Sequence, residues 1–207
     1  KDKIIKANQI IDENNLAKKI LGLKGKNFII DGYSCSIYYE NIIKSKFKIL
    51  KREDPTYFLK SIKNKTEIDN MKKTHVIDGV ALTKFLYWIK NINKKKITEV
   101  DAQNKLEKFR KMNKNFLYPS FDTIAGSGKN GAIVHYRAKK NSCRNINKKD
   151  IFLCDSGGQY KYGTTDVTRT ICFSNQKQHI KNIFTKVLKG HIAVATTNIN
   201  KDNIGKK

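Results

Sequence analysis

The chain has 207 residues, of which 39% are hydrophobic and 10% aromatic, enough for one large domain or two small ones with packed cores. Its 43 basic residues against 18 acidic ones give a formal net charge of +25. The excess is mostly Lys, spread along the whole chain among many Asn and Ile, which fits compositional drift better than a nucleic-acid face, where Arg is the better reader.

No apolar run is long enough to span a bilayer, and nothing near Lys1 reads as a signal peptide, although the chain opens without Met. The four cysteines, Cys35, Cys143, Cys154 and Cys172, include no C-x-x-C pair. That points away from a zinc or redox motif and towards a reduced, cytoplasmic protein. Cys154 and Cys172 lie in apolar runs and are expected in the core.

In chain order, the apolar positions Ile4, Ile5, Ile10, Ile11, Leu16, Ile20 and Leu21 predict an amphipathic helix over 4–21, ended by Gly22 and Gly25. A strand over Asn27–Asp31, a helix over Ser36–Lys44 and a strand over Phe47–Leu50 follow. Asp54-Pro55-Thr56 opens a short helix, with Pro near its first turn. The alternation predicts a small α/β piece, and a polar, Lys-rich joint at 60–66 closes it.

Thr66-Glu67-Ile68-Asp69 has the pattern of a helix start. The long helix beyond it has Ile68, Met71, Ile77, Val80, Phe85, Trp88, Ile89 and Ile92 as expected buried positions. After a basic loop at Lys94–Lys96, Thr98 and Asp101 cap a second helix, with Ala102, Leu106 and Phe109 facing inward. Beyond Pro119, short apolar runs alternate with Gly-rich turns. Strands are expected at Gly131–Tyr136, Ile151–Asp155 and Val167–Phe173, then a helix from about Asn175 carrying Ile180, Ile183, Phe184, Val187, Leu188 and Ile192. Two helices followed by an antiparallel sheet make an α+β fold.

The chemistry concentrates after residue 120. Asp155 ends an apolar strand and Asp166 begins another, eleven positions on, with a run of small and turn-forming residues between. If those strands pair, two carboxylates fall side by side, repelling each other unless a divalent cation sits between them. An Asp at a strand end is more commonly a turn or cap residue, the role assigned to Asp101, Asp122 and Asp150. His135, between Val134 and Tyr136, is a candidate donor to a substrate carbonyl, or else a half-buried His bonded to a backbone carbonyl. His75 and His179 read as surface residues, and His191 as a residue of helix packing. Gly126-Ser127-Gly128-Lys129-Asn130-Gly131 fails the phosphate-loop pattern, and Ser127 has no acid or His partner at a recognisable spacing.

Several stretches together resemble one family. They are Phe121-Asp122-Thr123-Ile124, Asn130-Gly131-Ala132-Ile133-Val134-His135-Tyr136, Asp155-Ser156-Gly157-Gly158-Gln159-Tyr160, Gly163-Thr164-Thr165-Asp166-Val167-Thr168-Arg169-Thr170 and Lys189-Gly190-His191-Ile192-Ala193. They are similar to the catalytic motifs of aminopeptidase P (Xaa-Pro aminopeptidase, peptidase family M24). The Gly-Thr-Thr before Asp166 looks most like the eukaryotic three-domain type. The resemblance covers about 63–200, and Ala138 departs from a Pro often found near that point.

The resemblance implies a pita-bread catalytic domain, of which residues 63–207 would be the N-terminal half. Residues 1–62 would be the end of a second, creatinase-N-like domain. It implies Asp155 and Asp166 as the first two metal ligands, Asp166 bridging two Mn ions per full-length subunit, and His135 as a substrate-binding residue. A His, two Glu and the general-base Glu are expected beyond Lys207, so that none of the catalytic residues proper lies within 1–207. The implied substrate is a peptide with Pro in second position, and the implied assembly a homodimer without membrane or nucleic-acid partners. Prolidase activity, or a non-catalytic pita-bread protein that binds a partner or nucleic acid, are the alternatives.

Overall fold

The computed structural model describes residues 5–92 and 96–198. The chain divides into two compact units, Lys1–Asn64 and Lys65–Lys207.

In the first unit the expected long helix is two 3-10 turns, Ala7–Gln9 and Glu13–Asn15, and a short α1, Leu16–Leu21. Asp12 explains the break: its side chain accepts a hydrogen bond from the Asn14 amide, capping a new turn in mid-pattern. Ile5, Ile10 and Ile11 stay exposed, and Ile4 lies outside the described residues. Strand β1, Asn27–Ile30, and strand β2, Lys48–Lys51, pair in parallel. Helix α2, Ile37–Lys44, joins them, with the Ser36 hydroxyl capping the Tyr39 amide. Ile30, Ile43 and Phe47 form this unit's small core. Asp54 caps α3, Pro55–Ser61, with Pro in its first turn.

The second unit begins with α4, Lys65–Asn91, which starts one residue before the expected Thr66. Its buried stripe is Thr74, Asp78, Ala81, Leu82, Phe85 and Ile89. Phe85 and Ile89 were expected there, but Ile68 and Val80 are exposed, because the stripe turned inward is the one that carries Thr74 and Asp78. Of the basic loop at 94–96, only Lys96 is among the described residues. Helix α5, Glu99–Lys111, has the predicted capping box: Thr98 accepts from the Asp101 amide and Asp101 from the Thr98 amide. Ala102 and Leu106 are fully buried.

Against these helices lies a three-stranded antiparallel sheet. Its members, β4 (Ile124–Ser127), β5 (Ile151–Ser156) and β8 (Val167–Cys172), run in the order β4-β5-β8. Phe152 and Cys154 on β5, Ala125 on β4 and Ile171 on β8 join Leu82, Phe85, Ile89, Ala102 and Leu106 in one core. Cys172 is exposed rather than buried, since it alternates with Ile171 across the strand. A second small sheet pairs β3 (Phe116–Pro119), β6 (Gly158–Tyr160) and β7 (Gly163–Thr164) in the order β3-β6-β7.

The expected strand at 131–136 is absent. Residues Gly128–Ala132 form a 3-10 turn, and His135 has a left-handed backbone with φ 54°. Helix α6, Gln178–Ala195, buries none of its residues; Ile183, Phe184, Val187, Leu188, Ile192 and His191 are all exposed, so His191 does not pack. His75 is exposed as expected, its ring nitrogen 2.9 Å from the Met71 carbonyl oxygen.

Candidate metal and substrate site

Strand β5 alternates: Phe152, Cys154 and Ser156 are buried under the helices, and Ile151, Leu153 and Asp155 look to the other face. Asp155 stands opposite Thr168 on β8, and the Thr168 hydroxyl donates to Asp155 Oδ1 over 2.8 Å. Asp166 precedes β8 by one residue, and so shares the parity of Thr168. It is exposed. Among the described residues, the Asp166 carboxylate has no hydrogen bond or ion pair.

The link between the two Asp residues is held by its own backbone. Gly158 N–H donates to Thr165 Oγ1 over 2.9 Å, and Thr165 N–H donates back to the Gly158 carbonyl over 2.9 Å. Ser120 Oγ donates to the Thr165 carbonyl over 2.8 Å. Gly157 permits this approach, because a Cβ there would collide with the Thr165 carbonyl oxygen and the Ser120 hydroxyl.

Beneath this link lies a buried polar network that sequence reasoning missed. Arg110 on α5 meets Asp78 on α4, with Nε 2.7 Å from Oδ1 and Nη2 3.2 Å from Oδ2. Arg110 also donates to Ser156 Oγ, and the Tyr160 hydroxyl donates to Asp78 Oδ1. Burial raises the Asp78 pKa, but the hydrogen bonds and charge of Arg110 outweigh it and hold the carboxyl below its usual range. Position 110 continues the Ala102–Leu106 stripe by one turn, and an Arg at such a position was the available signal.

His135 sits in an exposed turn, its imidazole without a hydrogen-bond partner among the described residues. The alternative of a half-buried, carbonyl-bonded His does not hold. Asp122, Asp150 and Asp101 play ordinary roles: Asp122 pairs with Arg137 and Asp150 with Arg144, and Asp101 completes the cap of α5. Ser127 is fully buried, and its hydroxyl has no hydrogen-bond partner among the described residues.

Asp155 and Asp166 offer hard oxygen donors of the type a divalent ion takes. Among the described residues no group of three or more His, Cys, Asp or Glu converges on one point. The donor chemistry therefore fits a metal in kind, while these residues supply only part of a ligand shell.

A family model for metallopeptidase family M24 matches residues 69–205. The chain belongs to that family. A protein of Paracoccidioides brasiliensis named as a probable Xaa-Pro aminopeptidase P is 45% identical over 161 residues, covering 76% of this chain and 26% of its own length. This M24 chain thus spans about a quarter of that relative. The X-prolyl aminopeptidase of Caenorhabditis elegans, described as a cytosolic enzyme with a di-nuclear active site, is 32% identical with a TM-score of 0.68, over 76% of this chain and 26% of that one. The prolidase of Pyrococcus horikoshii OT3 is 26% identical with a TM-score of 0.70, over 88% of this chain and 50% of that one. The mixed helices and strands of the matched stretch are thus those of the M24 pita-bread catalytic fold.

Proposed function

We propose that this chain is part of a metal-dependent aminopeptidase that hydrolyses the bond between an N-terminal residue and a following proline. The observation that carries the reading is the β5–β8 register, with Asp155 opposite Thr168 and Asp166 two residues before it, inside the stretch similar to aminopeptidase P. In this reading Asp155 and Asp166 would be ligands that help hold two Mn ions, Asp166 contributing to both. The Thr168 hydroxyl fixes the orientation of Asp155 by occupying Oδ1. When bound, such ions supply an acidified water and polarise the scissile carbonyl. His135 donates to the oxygen that gains charge at the carbonyl.

The unit ending at Asn64 corresponds, in the same reading, to the end of a creatinase-N-like domain. The whole protein works as a cytoplasmic homodimer, and the remaining ligands and the general-base Glu come from outside residues 1–207. Among the described residues, no helix is long and apolar enough to cross a membrane.

Prolidase is the competing activity, since prolidases share the fold at 26% identity. The full-length protein, chelator-washed and restored with Mn, is to be assayed on an Xaa-Pro-Xaa tripeptide and on an Xaa-Pro dipeptide. Release of the first residue from the tripeptide is the expected result. Turnover of the dipeptide alone would make it a prolidase, and turnover of neither would favour a non-catalytic binding protein.

A further inference from the structure

Glu99, the first residue of α5, is 0% exposed, and no cationic side chain among the described residues pairs with it. Burying an ionised carboxylate without a counter-charge is costly unless hydrogen bonds saturate it. Here they do. Glu99 Oε1 accepts from the Ser127 amide at 2.7 Å and from Asn130 Nδ2 at 3.1 Å. Oε2 accepts from the Tyr136 hydroxyl at 2.8 Å, the Arg144 amide at 2.9 Å and Asn130 Nδ2 at 3.1 Å. Asn130 Nδ2 also donates to the Tyr136 hydroxyl at 2.9 Å.

All of these donors belong to the strand end and the loop that carry His135. Asn130 precedes it and Tyr136 follows it, so one carboxylate grips the loop on both sides. His135 itself is held at φ 54°, a conformation that costs a non-glycine residue roughly 1–2 kcal/mol and persists only where its surroundings impose it. Its own ring supplies no such restraint, being exposed and without a partner among the described residues. Near His135 a further tie lies at the surface, from Arg137 Nη1 to the Asp122 carbonyl at 2.8 Å and to its carboxylate at 2.9 Å, and farther along the loop the Ile146 amide donates to the Ile97 carbonyl at 2.7 Å.

We propose that Glu99 is a positioning residue for His135, holding the loop through Asn130 and Tyr136 so that the imidazole is presented in one place. The proposal rests on the reading of His135 as a substrate-binding group. Burial and the hydrogen bond to Glu99 push the Tyr136 hydroxyl up to about 12, so it remains a donor to Glu99 throughout the neutral range.

The test is a coupling cycle in the full-length protein with Mn, on an Xaa-Pro tripeptide. Tyr136→Phe removes one of the loop's bonds while Ser127, Asn130 and Arg144 still satisfy Glu99; Glu99→Gln is the stronger variant, and Tyr136→Phe decides if that one does not fold. Tyr136→Phe is expected to lower kcat/KM by roughly 10- to 100-fold, the scale of a slightly misplaced group. In a His135→Ala background it should change kcat/KM less than about twofold. Equal losses in both backgrounds would overturn the proposal while leaving His135 its role. Wild-type kcat/KM for His135→Ala would remove that role, and the proposal with it.

Discussion

The Arg110 guanidinium grips both carboxylate oxygens of Asp78, at 2.7 and 3.2 Å, with each side chain no more than 3% exposed. The pair joins α4 to α5 and extends to Ser156 and Tyr160, both within the link between the two proposed metal ligands. A buried pair of this kind contributes little compared with a well-packed apolar pair, but losing one partner strands the other.

Arg110→Met or Asp78→Asn should each cost ~3–5 kcal/mol of stability, read from urea unfolding midpoints of the full-length protein. The two costs should be strongly non-additive in the double variant. The pH dependence has a definite sign. The folded pKa of Asp78 lies below its unfolded value of about 3.9. Its contribution is therefore complete above that value and is lost as pH falls through the folded pKa. The stability gap between wild type and Asp78→Asn should be constant from neutrality to about pH 5 and should narrow below about pH 4. A gap unchanged at pH 3 would contradict the assignment.

Gly157→Ala should force the Thr165 carbonyl and the Ser120 hydroxyl apart. The expected cost is about 1–3 kcal/mol, the usual price of overpacking. Thr165 immediately precedes Asp166, so metal stoichiometry should fall as well. The checks are the thermal midpoint and the metal content after dialysis; an unchanged midpoint with full metal content would show that the link tolerates a side chain.

As an isolated polypeptide, the 207-residue chain should bind Mn weakly and release no N-terminal residue. Two carboxylates are too few to replace the hydration of a divalent pair, and no third or fourth ligand converges on them among the described residues. The apolar residues of α6, with Ile183, Phe184 and Val187 each more than half exposed, should make the isolated chain self-associate. Calorimetric titration with Mn and gel filtration check this. Tight binding of two equivalents by a monomer would place the missing ligands within residues 1–207.

Much of the fold is legible from local chemistry. The Thr98–Asp101 box, the Ser36 and Asp54 caps and the apolar runs of β5 and β8 each encode their element within a few residues, and each stands where its pattern puts it. The failures share a different cause. The strand expected around His135 has strand-like residues, but His135 takes a left-handed backbone and the hydroxyl of its neighbour Tyr136 is bonded to Glu99, 37 residues away in sequence. The buried face of α4 was misjudged because it includes Thr74 and Asp78, and Asp78 is tolerated there only through Arg110 and Tyr160. At the site, the antiparallel pairing of β5 with β8 follows from their apolar runs and the turn residues between them, whereas the networks beneath depend on contacts between distant segments that no local pattern records.

The most direct test of the central claim is Asp166→Asn in the full-length protein, chelator-washed and then restored with Mn, with turnover of an Xaa-Pro tripeptide and bound metal measured on the same sample. A ligand shared by two ions should matter more than the outer partners whose loss typically costs roughly 10- to 100-fold. The account predicts a loss of turnover beyond about 100-fold, a fall in bound Mn, and a circular dichroism spectrum like that of the wild type. Wild-type turnover with full Mn content would contradict it.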